Sequence, residues 1–237
     1  MSVVFWDFDG TLADSVSLWA RSGYEALRLT DESALMDFME FKRLLLYGEG
    51  CRFPWRTPDS DHTRHAGENF WPWMNGWYAE CYMRFGVGYQ TAAAAAEKVA
   101  GILTRAENYT LYPDVVKTLA AVREMGHINS IISNNYPELP RVLEELGILG
   151  YIESPVVSGC EGYDKPRREL FETAKARFPG ETYIMVGDNP AADMLGARNA
   201  GMTAILVHAP ASENADYCFD DLWSVAELLR EKDYPAK

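Results

Sequence analysis

The sequence predicts an α/β fold in which a helical domain is inserted after the first strand of a parallel sheet. Two observations lead to this prediction. After about residue 107, short apolar runs alternate with helical segments of about ten residues, which is the rhythm of a parallel sheet covered on both faces. Between residues 16 and 106 the spacing of apolar residues is helical, and no segment has the pattern of a strand.

The strand segments are short and apolar, and each of them precedes polar residues. Glycines such as Gly126, Gly147 and Gly201 directly follow predicted helices and end them. The predicted strands are 3–6, 128–132, 155–158, 182–186 and 203–207. The predicted helices of this part are 113–125, 137–146, 167–177, 191–200 and 221–231.

The segment between the first two strands has a different composition. Segments 16–29 and 32–46 have helical spacing, for example at Leu35 and Phe38, and a run of five alanines favours a helix over 92–104. We therefore predict an α/β catalytic core of 1–15 and 107–237, and a helical domain of 16–106 inserted between its two parts.

Charge and cysteine content limit the classes of function. A net charge of −13 repels nucleic-acid phosphates, so we expect no nucleic-acid partner. The four cysteines are scattered without a C-x-x-C pair, which favours reduced thiols in a cytoplasmic protein. Asp7 and Asp9 interrupt the apolar N-terminus, which argues against a signal peptide, and no apolar run is long enough for a membrane span.

Polar side chains follow the predicted strands at the points where these strands end. In an open parallel sheet the carboxyl ends of the strands meet at one edge, where ligands bind. These side chains should therefore lie together. They are Asp7, Asp9, Gly10 and Thr11 after the first strand, Ser133 and Asn134 after the second, Lys165 after the third, and Asp188 and Asp193 after the fourth.

Four acids at one edge would repel one another and resist ionisation. A hard divalent cation with oxygen ligands removes that penalty, and magnesium suits one or two carboxylates together with a substrate phosphate. Lys165 adds a positive charge for phosphoryl oxygens, and the Ser133 hydroxyl can donate a hydrogen bond to one of them. Gly10 allows the backbone to turn tightly beside the site.

The sequence resembles the haloacid dehalogenase-like (HAD) hydrolase superfamily. The resemblance rests on four motifs in the order of that family, each after its own predicted strand: D-F-D-G-T-L-A-D-S at 7–15, I-I-S-N-N with Ser133, D-K-P with Lys165, and G-D-N-P-A-A-D with Asp188 and Asp193. It implies a Rossmann-like core with a helical cap that closes over the site. The dehalogenase branch lacks an acid at the Asp9 position, so Asp9 favours phosphoryl chemistry.

The resemblance also implies roles for the site residues. Asp7 would attack phosphorus, and Asp9 would give a proton to the leaving oxygen and later take one from water. Magnesium would be held by Asp7, the backbone carbonyl of Asp9 and Asp188, with Asp193 in support. The residues expected to bind the phosphate are Gly10, Thr11, Ser133, Asn134 and Lys165.

The expected function is magnesium-dependent hydrolysis of a small phosphomonoester through an aspartyl-phosphate. Sugar phosphates or phosphoglycolate-like metabolites are typical of capped relatives. Two alternatives stay open: a phosphomutase that uses the same two acids, and a non-catalytic protein that binds a phosphorylated metabolite. We expect a monomer or a homodimer, and a small phosphorylated metabolite as the partner.

Each part of the pattern also has a simpler interpretation. The first acids could begin a calcium loop, but Leu12 and Leu18 occupy the places of its required glycine and glutamate. Taken alone, Asp193 is typical of a helix N-terminus and Lys165 of a solvated surface. The aromatic segment 53–82 is most simply the core of the inserted helices, with a substrate-facing lid as the second interpretation.

Overall fold

The computed structural model describes residues 1–15, 17–34, 36–56, 61–180 and 182–231. Within these residues the strands form one six-stranded sheet in the order β3-β2-β1-β4-β5-β6, and every neighbouring pair is parallel. The strands are β1 Ser2–Trp6, β2 Ile128–Ser133, β3 Val156–Val157, β4 Thr182–Gly187, β5 Thr203–Val207 and β6 Tyr217–Phe219.

The first strand lies in the middle of the sheet. Its residue Phe5 pairs with Ser130 of β2 on one side and with Met185 of β4 on the other. All five residues of β1 are buried, as expected for a strand that is covered on both faces. The predicted α/β fold with a parallel sheet is therefore confirmed.

The sheet has one strand that the sequence did not predict. Strand β6 is three residues long, lies at the edge of the sheet, and none of its residues is fully buried. Since so short and exposed a segment lacks the apolar run of a buried strand, its pattern gave no signal.

Four of the helices between β1 and β2 pack mainly on one another. They are α1 Leu18–Arg28, α2 Phe38–Tyr47, α3 Phe70–Arg84 and α4 Tyr89–Leu103. Helix α2 begins later than predicted because the Asp37 side chain caps it by accepting a hydrogen bond from the Glu40 N–H. Leu35, which supported the earlier start, lies outside the described residues, as does Val16 at the predicted start of the first helix.

The remaining helices cover the two faces of the sheet. They are α5 Val115–Glu124, α6 Leu139–Glu145, α7 Ser158–Glu161, α8 Arg168–Ala176, α9 Leu195–Asn199 and α10 Trp223–Glu231. A single π-type turn, Pro190–Met194, takes the place of the first turn of the helix predicted over 191–200. The Asn189 side chain caps this turn by accepting hydrogen bonds from the Ala191 and Ala192 N–H groups.

The chain leaves the sheet for the inserted helices and returns to it at one place. Residues 12–14 run antiparallel beside residues 110–112: Ala13 pairs with Leu111, the Asp14 N–H donates to the Thr110 carbonyl, and the Tyr112 N–H donates to the Leu12 carbonyl. The domain boundaries near residues 15 and 107 stay a prediction.

No helix in the described part of the chain is both long and apolar enough to cross a membrane. The four cysteines of the chain are free thiols, of which Cys51 and Cys81 are buried and Cys160 and Cys218 exposed.

Candidate active site

The loop after β1 is fixed tightly against the loop after β4. The Asp7 N–H donates to the Val186 carbonyl at 2.9 Å, which places the Asp7 side chain at the carboxyl edge of the sheet. Gly10 has φ +88°, and a Cβ atom there would lie 2.5 Å from Asp188 Oδ2. Only glycine allows both this backbone angle and this close approach.

Three carboxylates converge at the edge. Asp7, Asp188 and Asp193 each present one oxygen, and these atoms all lie within 4.8 Å of one another. Asp7 and Asp193 are buried and Asp188 is half-buried. We call these three acids and Lys165 the acidic rim, and its three carboxylates could hold a metal ion.

Lys165 supplies the positive charge of the acidic rim. Its Nζ lies 2.8 Å from Asp7 Oδ1 and 2.6 Å from Asp193 Oδ1, and it donates to the Ile132 carbonyl at 2.9 Å. The side chain is 1% exposed. Burial opposes its charge, but Asp193 and Asp7 outweigh burial, so the pKa of Lys165 is raised and the side chain stays charged.

Asn134 holds the backbone of Lys165. Its side-chain oxygen accepts the Lys165 N–H at 2.7 Å, and its side-chain nitrogen donates to the Lys165 carbonyl at 3.1 Å. Both ends of the amide are therefore occupied by positioning Lys165. The expected contact of Asn134 with phosphate stays a prediction. The backbone of Asn134, rather than its side chain, would make this contact.

Asp193 is held from two sides. It is fully buried, its Oδ2 accepts the Asn189 N–H at 3.0 Å, and its Oδ1 pairs with Lys165. Its carboxylate packs so closely on Gly187 that a Cβ atom there would lie 2.3 Å from Oδ2. These contacts suit Asp193 to orienting Lys165 and supporting the other acids.

Two hydroxyl groups border the acidic rim. The Thr11 Oγ1 lies 3.5 Å from Asp188 Oδ1 as a weak donor. The Ser133 side chain is 1% exposed, and its Oγ has no hydrogen-bond partner among the described residues. A buried hydroxyl without a partner is costly, and a phosphoryl oxygen would satisfy it.

Asp9 has different surroundings from the other acids. Its carboxyl accepts hydrogen bonds from Ser15 Oγ and, at 2.9 Å, from Asn135 Nδ2. Burial, reinforced by the charge of Asp7, raises the pKa of Asp9 to about 7, against the opposing hydrogen bonds of Ser15 and Asn135. Such a carboxyl can both give and take a proton near neutral pH.

Ser15 and Asn135, which hydrogen-bond Asp9, and the nearby Trp19 were not found by sequence reasoning. Ser15 was part of a quoted motif without a role, and Asn135 stood directly beside the predicted Asn134. Trp19 belongs to the first inserted helix, and nothing in its spacing distinguished it from a core residue. The position of Asn135 after a strand end was the one signal that could have indicated its contact.

A second buried contact joins the inserted segment to the core beside Lys165. His62 Nδ1 lies 3.2 Å from Asp164 Oδ2, the His62 N–H donates to the Gly162 carbonyl, and the ring stacks on Trp73. Asp164 directly precedes Lys165 in the chain. The inserted segment therefore packs directly beside the acidic rim.

The donor set of the acidic rim fits a hard divalent cation. Burial and the charges of Asp193 and Asp7 raise the pKa of Asp188 to about 8, and burial raises the pKa of Asp193 to about 6 despite Lys165. These raised values show that one lysine does not balance the three acids. Oxygen ligands with excess negative charge are what magnesium prefers.

The sheet is parallel, and its carboxyl edge carries three carboxylates and a buried lysine beside the inserted helices. This arrangement is typical of an α/β enzyme whose active site lies at the strand ends. The family model of haloacid dehalogenase-like hydrolases matches residues 1–201. The chain belongs to this family, as the sequence resemblance indicated.

Several curated relatives are named as phosphatases. The chain is 27% identical over 224 residues to glyceraldehyde 3-phosphate phosphatase of Methanopyrus kandleri, which covers 93% of this chain and 90% of that protein. It is 34% identical over 116 residues to phosphoserine phosphatase of Thermus thermophilus, covering 48% of this chain and 47% of the relative. The second match thus spans about half of that relative's length.

Solved structures show the same fold. A HAD hydrolase, YfnB of Bacillus subtilis, superposes with a TM-score of 0.72 at 18% identity, over 97% of this chain and 98% of that one. A 2-haloacid dehalogenase of Pseudomonas syringae superposes with a TM-score of 0.66 at 20% identity, over 98% and 99%. Identities this low support the fold alone.

Proposed function

We propose that this protein is a magnesium-dependent hydrolase of small phosphomonoesters that works through an aspartyl-phosphate on Asp7. The observation that carries the proposal is the pair of acids in the β1 loop. Asp7 is ion-paired with buried Lys165, whereas Asp9 has a pKa of about 7. One carboxylate is thus held in position by a lysine for attack, and the other is able to carry a proton.

In the first step an Asp7 oxygen attacks phosphorus, and the bond from phosphorus to the ester oxygen breaks. Asp9 donates its proton to that oxygen, so the alcohol leaves neutral. Lys165, which lies beside Asp7, and the Ser133 hydroxyl, which has no hydrogen-bond partner in the described part of the chain, would contact the phosphoryl oxygens. Asp7, Asp188 and the Asp9 carbonyl would hold magnesium, which when bound supplies charge stabilisation to the phosphoryl group.

In the second step water attacks the phosphorus of the phosphorylated Asp7. Asp9, now a carboxylate, takes the proton of that water, and inorganic phosphate leaves with the Asp7 carboxylate restored. The hydrogen bonds from Ser15 and Asn135 keep the Asp9 carboxyl in one orientation for both steps.

The names of the relatives support a phosphatase with a small phosphorylated substrate. We propose sugar phosphates and phosphoglycolate-like compounds as the first substrates to be assayed. Steady release of phosphate in the absence of a bisphosphate activator would distinguish a hydrolase from a phosphomutase. Any turnover of substrate would distinguish an enzyme from a non-catalytic binding protein.

Replacement of the nucleophile tests the proposal directly. We expect Asp7→Asn to lose roughly 1,000-fold or more of the magnesium-dependent hydrolysis of p-nitrophenyl phosphate, since an amide is a poor nucleophile. The matched control is Asp14→Asn, which neutralises an exposed acid of the same loop. Acid quenching and mass spectrometry should find phosphorylated Asp7 in the wild type. Activity of Asp7→Asn near that of the control would refute the proposal.

A further inference from the structure

Rings from the inserted helices and from the core meet beside Asp9. Trp19 lies 4.6 Å from Trp55, 6.5 Å from Trp71 and 5.8 Å from Tyr136, measured between ring centroids. Trp71 and Tyr136 lie 5.9 Å apart. Trp19, Trp55 and Trp71 belong to the inserted segment, and Tyr136 follows β2 of the core. We call these four residues the aromatic seam.

The aromatic seam reaches Asp9 by two routes. Ser15, whose hydroxyl donates to the Asp9 carboxyl, accepts on its carbonyl oxygen the N–H of Leu18, the residue directly before Trp19. Asn135, whose side-chain nitrogen donates to Asp9, accepts the Tyr136 N–H on its side-chain oxygen at 3.0 Å. The side chains that hydrogen-bond the Asp9 carboxyl, Ser15 and Asn135, are both neutral.

A proton donor must come within about 2.6–3.2 Å of the oxygen that receives its proton. The alcohol bonded to the ester oxygen therefore lies next to Trp19 when Asp9 acts. Building on the hydrolysis proposed above, we infer that the aromatic seam selects phosphomonoesters whose alcohol carries a flat aromatic ring.

The contacts across the aromatic seam explain the selection. Trp71 is held to the core by its indole N–H, which lies 3.0 Å from both carboxylate oxygens of Glu138, and by its ring contact with Tyr136. An alcohol that enters beside Trp19 separates these rings. A flat ring restores the lost stacking contacts in offset or edge-on geometry, whereas a small polar alcohol does not.

Two pairs of substrates isolate the effect of the ring. Benzyl and propyl phosphate both release unactivated alcohols, and a uridine 5′-monophosphate and ribose 5-phosphate pair tests a ring farther from phosphorus. Acetyl phosphate serves as the reference for the chemistry of Asp7, because its acyl group is small. We expect kcat/KM to favour the ring-bearing member of at least one pair by about 10- to 100-fold, the range that pocket contacts give.

Three variants in α3 assign the preference to the aromatic seam. Trp71→Leu should reduce the preference by about tenfold, and Trp71→Phe, which keeps a ring, should retain it. Trp77→Leu is the matched control, because it removes an indole of the same helix, and this indole stacks on Phe53 and meets Tyr78 edge-on instead. A ratio of two substrates is insensitive to the fraction of folded enzyme.

The outcomes separate the two proposals. If the wild type turns over neither acetyl phosphate nor p-nitrophenyl phosphate with magnesium, the proposed function fails and this inference with it. If it hydrolyses either compound but shows no preference within either pair, the inference alone is refuted. A preference that Trp71→Leu and Trp77→Leu reduce equally would also refute it.

Discussion

The acidic rim and the aromatic seam are neighbours built on opposite principles. In the acidic rim, charged groups lie close together, and the buried Lys165 is held by ion pairs with Asp7 and Asp193. In the aromatic seam, the contacts are between neutral rings that join two parts of the chain. Removal of one partner from a buried ion pair leaves an uncompensated charge and strongly destabilises the folded state. Ring contacts are individually weaker and replaceable, so we expect the acidic rim to determine the reaction and the aromatic seam to determine its substrate.

Asp9 lies at the boundary between these regions, and its replacement should give the largest effect in this comparison. A nitrophenolate leaves without a proton, whereas an alkoxide needs one. Asp9→Asn should therefore lose about 100- to 10,000-fold on propyl phosphate. On p-nitrophenyl phosphate it should give a burst of nitrophenol and then stall with Asp7 phosphorylated, which rapid mixing and intact mass can detect. Equal loss of the first step on both substrates would show that Asp9 does not act as the acid.

Removal of the cation should show how strongly the acidic rim depends on charge balance. Lys165→Met leaves two buried carboxylates without their partner, and loss of one member of a buried pair costs about 3–5 kcal/mol of unfolding free energy. The control is Lys175→Met, whose partner Glu172 is exposed and whose pair is worth about 1 kcal/mol or less. Urea titrations in chelator measure both. A loss of equal size in the two variants would contradict the comparison.

Magnesium and pH should act on the acidic rim together. The pKa values of Asp188 and Asp193 in the folded protein, about 8 and about 6, lie above those of an unfolded chain. The folded state then binds more protons, so the stability of the metal-free protein should fall as pH rises from about 4 to about 8. Magnesium binds the ionised acids, so its stabilising effect should be larger at pH 8.5 than at pH 6.

Calorimetric scans with chelator and with magnesium at both pH values measure this difference. Asp188→Asn serves as the control, since it removes the acid whose pKa is raised to about 8 and should shrink the pH dependence. A magnesium effect that stays constant across this pH range would show that the acids of the rim do not titrate together with the metal.

The smallest effect should come from a polar contact at the aromatic seam. Trp71→Phe keeps a ring but loses the hydrogen bond to Glu138, and one such bond contributes about 1 kcal/mol to stability. Trp223→Phe is the control, because its bond to Glu227 is exposed and should contribute less. Thermal unfolding of both variants measures the difference. A loss of unfolding free energy as large as that of Lys165→Met would show that this contact of the aromatic seam stabilises the fold as much as the ion pairs of the acidic rim do.

The sequence predicted the parallel sheet and the position of the acidic rim because strand ends are local features. Asp7 and Asp188 follow apolar runs, Lys165 follows the short helix α7 that begins where β3 ends, and parallel topology brings strand ends to one edge. The neighbours of Asp9 could not be predicted in the same way. Trp19 reaches Asp9 from a helix, and helical spacing alone does not distinguish a ring that faces a site from one that faces a core.

Two other differences also have local causes. Strand β6 was not predicted because it is short and lies at an edge of the sheet, where neither face is fully covered and no buried apolar run is needed. The turn before α9 is of π type because Asn189 caps it and the Asp193 carboxylate bonds back to the Asn189 N–H. Side-chain contacts of this kind decide the first turn of a helix, and apolar periodicity does not report them.

The pairing of residues 12–14 with residues 110–112 has a consequence for the order in which the sheet assembles. Strands β1 and β2 are neighbours although roughly 120 residues separate them, and closing so long a loop costs conformational entropy that grows with its length. The hydrogen bonds between these two segments hold the ends of the inserted helices side by side. Once the helices have packed, the effective loop between β1 and β2 is only a few tens of residues. The early folding of the inserted helices would therefore accelerate formation of the central strand pair on which the site is built.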